Sequence, residues 1–138
     1  MTHTIASTRV FLADDSAMIR RRVAEMLEAC DSAIVGQAGT PVESISGILA
    51  SRPDVVVLDI QLEGGSGLQV LQAVRKAAPG VAFVVFSNNA GPAWRKRYMA
   101  EGATSFLDKS TEFDQLAAAV ASAAHPNTSS NTSTVTGS

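Results

Sequence analysis

Several polar residues in this 138-residue chain each stand at the end of a separate apolar run. Asp14-Asp15 follow Arg9-Val10-Phe11-Leu12-Ala13, and Asp59 ends Val55-Val56-Val57-Leu58. Ser87 closes the run over residues 81–86, and Lys109 lies just beyond Ser105-Phe106-Leu107. An unbroken β-branched run suits a strand buried on both faces, as in a parallel sheet covered by helices. Parallel strands all leave the sheet along one edge, and open α/β proteins bind their ligands there. Carboxylates gathered at such an edge repel and raise one another's pKa unless a cation intervenes. Mg²⁺ is the natural hard cation for a few carboxylates plus water, with positions left for phosphate oxygens. An aspartate in that setting can also act as a nucleophile toward phosphorus. A lysine and a metal would offset the transferring charge while a hydroxyl orients it.

Each residue also has a plainer role when taken alone. Asp14-Asp15 could cap a helix, Ser87 and Asp59 could begin turns, and Lys109 could be a solvated lysine. The functional reading rests on their common structural slot. Lys109 also precedes a helix start, where the helix dipole disfavours a cation, and that mild conflict points to a nearby anion.

The elements that must position these residues follow from periodicity. Residues 9–13 read as a first strand. Ile19, Val23, Met26, Leu27 and Cys30 then recur at helical spacing, with Asp15 or Ser16 as N-cap. Cys30 is read as a small core residue of that helix. Residues 34–38 form a second strand and Pro41 opens a helix with Val42, Ile45, Ile48 and Leu49 as its buried stripe, stopped at Arg52-Pro53. After Asp59 comes the turn Glu63-Gly64-Gly65-Ser66-Gly67, then a helix carrying Leu68, Leu71 and Val74. A fourth strand spans 81–86, a fourth helix runs about 92–101 with Gly102 as C-terminal cap, and a fifth strand covers 105–107. Ser110 or Thr111 caps the last helix, with Thr111 and Asp114 at capping-box spacing and Phe113, Leu116, Ala117, Val120 and Ala124 inward. Five strands alternating with five helices imply an α/β fold with a parallel sheet and right-handed crossovers. Spacing alone does not give the strand order.

Length fits one domain, residues 8–124, followed by a Ser/Thr/Asn-rich segment, 125–138, that buries nothing and reads as a disordered polar tail. A net charge of −2 carries no nucleic-acid footprint, so no direct nucleic-acid contact is expected. The single cysteine excludes an internal disulfide and a cysteine zinc cluster. Residues 1–8 lack a secretory pattern and no apolar stretch approaches the roughly 20 residues of a membrane span, so a cytoplasmic location without membrane contact is the simplest expectation. His3 and His125 lie near the termini, away from any catalytic arrangement. No glycine-rich phosphate loop follows the first strand, which argues against nucleotide binding.

Asp14-Asp15, Asp59 in Val-Val-Leu-Asp-Ile-Gln-Leu with Gly67 after it, Ser87, Phe106 and Lys109 together resemble a response regulator receiver domain, over about residues 8–124. The resemblance implies a flavodoxin-like doubly wound sheet of order 2-1-3-4-5. It implies that Asp59 accepts a phosphoryl group from a phosphohistidine on a sensor histidine kinase or histidine phosphotransfer protein. Asp15, Asp59 and the backbone carbonyl of Gln61 would bind Mg²⁺, with Asp14 acting largely through water. Lys109 would pair with the phosphoryl group and Ser87 would hydrogen-bond it. Movement of Ser87 would let Phe106 turn inward and change the helix 4–strand 5–helix 5 face toward a downstream effector; the alternative for Phe106 is an ordinary core aromatic.

Two departures from the family pattern stand out. Many receivers have proline where this chain has Glu63, and again after the lysine, where it has Ser110. That second proline bond is commonly cis; without proline a cis bond costs about 2.5–4 kcal/mol, so Lys109-Ser110 is expected to be trans, or cis under strain. Asn88 stands where a smaller residue is common, and Gln61 and Asn89 occupy positions that tune dephosphorylation. Trp94-Arg95-Lys96-Arg97-Tyr98 reads either as a solvated helix face or as a partner surface built from Trp94, Arg95, Arg97 and Tyr98. The expected function is that of a stand-alone phosphorylation switch controlling a separate partner. The alternatives are a phosphorylation-independent scaffold and an aspartate-nucleophile phosphohydrolase. The hydrolase often needs a second acid where Gln61 stands.

Overall fold

The computed structural model describes residues 7–125, so the expected tail beyond His125 and the first six residues, with His3, lie outside the described part. Five strands form one sheet: β1 (Thr8–Ala13), β2 (Ser32–Ala38), β3 (Val55–Leu58), β4 (Ala82–Ser87) and β5 (Ser105–Asp108). Their order is β2-β1-β3-β4-β5 and every pairing is parallel, so the expected flavodoxin-like order holds. Five helices connect and cover them: α1 (Ala17–Glu28), α2 (Pro41–Ser51), α3 (Gly67–Ala77), α4 (Pro92–Ala100) and α5 (Leu116–Ala124). No helix among the described residues is long and apolar enough to cross a membrane.

Strand alternation divides the core into two layers. Phe11, Ala13, Val56, Leu58, Phe83, Val85 and Phe106 face α2, α3 and α4. Val10, Leu12, Val55, Val57, Val84, Phe86 and Leu107 face α1 and α5. The run Val55–Leu58 is buried throughout, as a central strand covered on both sides must be.

Local chemistry corrects several sequence expectations. Ser16, not Asp15, caps α1: its hydroxyl accepts from the Ile19 amide at 3.2 Å. The helix ends at Glu28, so Cys30 falls in the following turn and is exposed instead of packed. In α2, Thr40 caps and Pro41, Ser44 and Ile48 form the buried stripe, which leaves Val42 on the rim at 77% exposure. Neither Ser110 nor Thr111 caps α5. The chain enters that helix through a short 3-10 turn, Phe113–Gln115, and the Ser110 hydroxyl bonds to Asp108 instead.

Candidate functional site

The edge at which β1, β3, β4 and β5 end holds every chemically active residue expected there. Asp14 follows β1, anchored by its amide to the Ala38 carbonyl at 3.0 Å. Asp59 follows β3, its amide donating to the Ala13 carbonyl at 2.9 Å, so the two aspartates are carried by adjacent, hydrogen-bonded strand ends. Ser87 closes β4 opposite Asp108 in the ladder, and the Lys109 amide donates to the Ser87 carbonyl at 3.0 Å. Parallel register therefore fixes the spacing of acid, hydroxyl and amine through the backbone.

Gly67 completes the scaffold. Its amide donates to the Ile60 carbonyl at 2.7 Å, and a Cβ there would collide with the carbonyl oxygen of Asp59. Only glycine lets α3 begin directly against the loop that carries Asp59. Between them, Gln61–Leu62 pairs with Gly65–Ser66 in a two-residue antiparallel ladder, turned at Gly64 with φ +81°.

The Lys109 ammonium lies 2.6 Å from Asp14 Oδ2 and 3.0 Å from Asp59 Oδ2, with all three side chains only 8–9% exposed. Burial pushes the Asp14 carboxyl above its ordinary value, and the hydrogen bond from Lys109 pulls it partly back. Burial acts to lower Lys109, but hydrogen bonding and the charges of Asp14 and Asp59 outweigh it and raise the ammonium above its ordinary value. Asp15 stays exposed, yet Asp14, Asp15 and Asp59 each offer an oxygen within 4.8 Å of the others. Because Ser16 serves as the cap, the role that would have explained Asp15 away is filled by another residue. Oxygen donors, net negative charge and one solvent-facing member suit a hard divalent cation such as Mg²⁺.

The remaining candidates distribute as follows. Gln61 is exposed two residues past Asp59, its amide 3.4 Å from Asp59 Oδ1. Ser87 is buried, its Oγ accepting from the Asn89 amide at 3.1 Å, while Asn88 and Asn89 are exposed. The turning-in expected of Phe106 has no outward starting point here. Its ring is already buried, 6.1 Å from Tyr98 edge-on, with the Arg95 guanidinium 5.1 Å above it. Arg95 also donates to the Phe106 carbonyl at 2.8 Å.

The surface proposed around Trp94, Arg95, Arg97 and Tyr98 is therefore divided. Tyr98 is wholly buried, because its position on α4 packs against Phe106. Trp94 remains 48% exposed and Arg97 pairs with Glu101 at 3.3 Å. Sequence reading missed a pocket of about 440 Å³ bordered by Ile60, Gln61, Leu68, Asn89, Trp94 and Arg97, since it forms only when two loops and α4 meet. The Lys109-Ser110 bond is trans, the first of the two expected alternatives; what the sequence did not show is the turn after it, in which Asp108 Oδ1 accepts from both the amide (2.8 Å) and the hydroxyl (2.6 Å) of Ser110.

Fold and edge together define a flavodoxin-like α/β domain with a lysine-bridged acidic pocket. The chain belongs to the response regulator receiver domain family, whose pattern it matches over residues 10–121, and so to the signal-transduction proteins of two-component systems. It is 29% identical over 113 residues to the DNA-binding transcriptional activator DevR/DosR of Mycobacterium tuberculosis, covering 81% of this chain and 52% of that one. It is 34% identical over 107 residues to a protein-glutamate methylesterase/protein-glutamine glutaminase of Caulobacter vibrioides, covering 76% of this chain and 31% of that protein. The chain thus spans about half the length, or less, of these curated relatives. Among solved structures it resembles the signal receiver domain of a response regulator NarL from Mycobacterium tuberculosis, with a TM-score of 0.81 and 29% identity over 87% of this chain and 98% of that one.

Proposed function

We propose that this domain is a phosphoacceptor switch in which Asp59 takes a phosphoryl group from a phosphohistidine of a kinase or phosphotransfer protein. In that step the phosphorus–nitrogen bond of the donor breaks and a bond to an Asp59 carboxylate oxygen forms, while the imidazole leaves with the electron pair. The observation that carries the reading is the Lys109 ammonium 3.0 Å from Asp59, at the head of a three-carboxylate cluster. Lys109 neutralises charge on the incoming group and the Ser87 hydroxyl, one register step away, orients it.

Asp15, Asp59 and the Gln61 carbonyl are the groups that would hold Mg²⁺, with Asp14 contributing through water. When bound, the metal supplies positive charge that offsets the phosphoryl oxygens. No separate small-molecule substrate belongs to this reading. Its partners are a phosphohistidine protein and a downstream effector protein, and the mild negative charge favours neither nucleic acid nor membrane.

The output passes through α4. That helix buries a single side chain, Tyr98, fewer than any of the other four α-helices, and so is the helix least tied to the core. The loop at its start carries Asn89, whose amide already holds Ser87. Phosphorylation shifts a population of α4 arrangements rather than creating a new fold.

Intact-mass analysis after incubation with acetyl phosphate and Mg²⁺ tests the reading. One phosphoryl group is expected on the wild type and none on Asp59→Asn. An unmodified wild type, or equal modification of Asp59→Asn, would refute it.

A further inference from the structure

Lys109 sits on a segment with no proline to stiffen it, yet its side chain is among the best buried charges of the site. The backbone on both sides of it is tied down by side chains. Asp108 Oδ1 accepts from the Ser110 amide and from the Ser110 hydroxyl. Glu112 Oε1 accepts from the Asp108 amide at 2.8 Å, and the Glu112 amide returns a bond to the Asp108 carbonyl at 2.8 Å. Five residues thus close on themselves, with Lys109 inside the loop and its own amide fixed to the Ser87 carbonyl.

We propose that Asp108, Ser110 and Glu112 are positioning residues for Lys109: their side chains close a hydrogen-bonded turn that holds the ammonium on Asp14 and Asp59. The role rests on the phosphoacceptor reading. The turn supplies the restraint that a ring at position 110 would otherwise give, because each bond removes freedom from a backbone that serine leaves mobile. Its acceptors face the backbone and the Ser110 hydroxyl, so these residues act through Lys109 and need not touch the phosphoryl group. The sequence Asp-Lys-Ser-Thr-Glu is therefore one device: the amine at its second position, the clamps at its first, third and fifth.

The test compares rates of Asp59 phosphorylation by acetyl phosphate with Mg²⁺ for wild type, Asp108→Ala, Asp108→Asn and Ser110→Pro, followed by intact mass. Misplacing a catalytic group by a fraction of its hydrogen-bond length slows reactions by roughly ten- to a hundredfold, and about tenfold is expected for Asp108→Ala. Asp108→Asn keeps the Oδ1 acceptor and should restore most of the rate, while Ser110→Pro, which substitutes a ring for the lost bonds, should stay within about threefold of wild type. Amide hydrogen exchange at Ser110 should accelerate in Asp108→Ala and not in Asp108→Asn. An active wild type with an unimpaired Asp108→Ala overturns the positioning role alone, as does equal slowing by alanine and asparagine, which would assign the effect to charge. A wild type that takes no phosphoryl group overturns the phosphoacceptor reading, and the positioning role with it.

Discussion

Replacing Lys109 with methionine removes the ammonium that bridges Asp14 and Asp59 and leaves their charges facing one another. Both side chains are 8–9% exposed, so water is a poor substitute for the lost cation. With their ligand oxygens within 4.8 Å of one another, Coulomb's law gives a repulsion of about 3.5 kcal/mol at an effective dielectric of about 20. Methionine regains part of this because it needs no desolvation of an ammonium, whereas breaking a buried pair typically costs about 3–5 kcal/mol. A loss of about 3 kcal/mol in unfolding free energy is expected near neutral pH in EDTA. Two conditions should shrink it. Asp14 already stands above its ordinary carboxylate value, so its contribution to stability is present below that value and lost as pH rises through the raised one. Without Lys109 its carboxyl rises further, and the deficit should diminish as pH falls from neutral through that raised carboxyl range. Mg²⁺ should also restore stability, and by more in the variant than in the wild type, where Lys109 already offsets the charge. Urea unfolding at two pH values, each with EDTA or Mg²⁺, measures all four cases. A deficit that is the same in all four would show that Lys109 acts by packing and not by charge.

Further expectations follow from individual contacts. The Tyr98 hydroxyl is buried and makes no hydrogen bond of normal geometry; the Leu68 backbone lies near enough only to offset part of the burial that pushes the phenol up to about 12. Tyr98→Phe should therefore leave thermal stability unchanged or raise it by about 1 kcal/mol, whereas Tyr98→Ala should cost about 3–5 kcal/mol by calorimetry, and a destabilised phenylalanine variant would count against the unpartnered hydroxyl. Gly67→Ala should destabilise by at least about 1–3 kcal/mol in urea and impair phosphorylation of Asp59, since its Cβ has nowhere to go but into the Asp59 carbonyl. Cys30, exposed in a turn, should react with a thiol reagent in the folded protein as fast as in denaturant; protection would restore it to the core.

Much of the fold was legible because each strand carries its own signature. Val55-Val56-Val57-Leu58 has no helical reading that suits its length, and Pro41, Pro53 and Gly102 punctuate the chain where helices begin or end. The site was legible for a related reason: a residue at the end of a parallel strand has its location set by the strand alone. What escaped depends on rotation about helix axes and on contacts between distant loops. Val42 and Tyr98 show the first. Val42 looks apolar enough to be inside, but Thr40 and Pro41 set a phase that turns it out. The run Trp94-Arg95-Lys96-Arg97-Tyr98 looks like one surface until helical geometry sends its first residue partly to solvent and its last inward. Cys30, two residues past the end of α1, shows how a small error at a helix end inverts burial. The Asp108–Ser110 turn was invisible because both residues are ordinary in loops, and nothing in their types says which partner each takes.

The arrangement that serves signalling is also the least comfortable part of the structure. A parallel sheet needs a run of apolar residues to fill its two core layers, and the same register that aligns those residues brings Asp14 and Asp59 side by side where the runs stop. Lys109 relieves this within the chain, holding the carboxylates as a cation would while keeping them apart from solvent. A new anion on Asp59 must then compete with Asp14 for that ammonium, which can serve both only by shifting along its long side chain. The backbone cannot follow, because its amide is fixed to Ser87 and its neighbours are clamped in the turn. On the proposed phosphoacceptor reading, a change of charge at Asp59 would therefore be passed on through Ser87 and the Asn89 loop to α4, the helix with the fewest buried side chains.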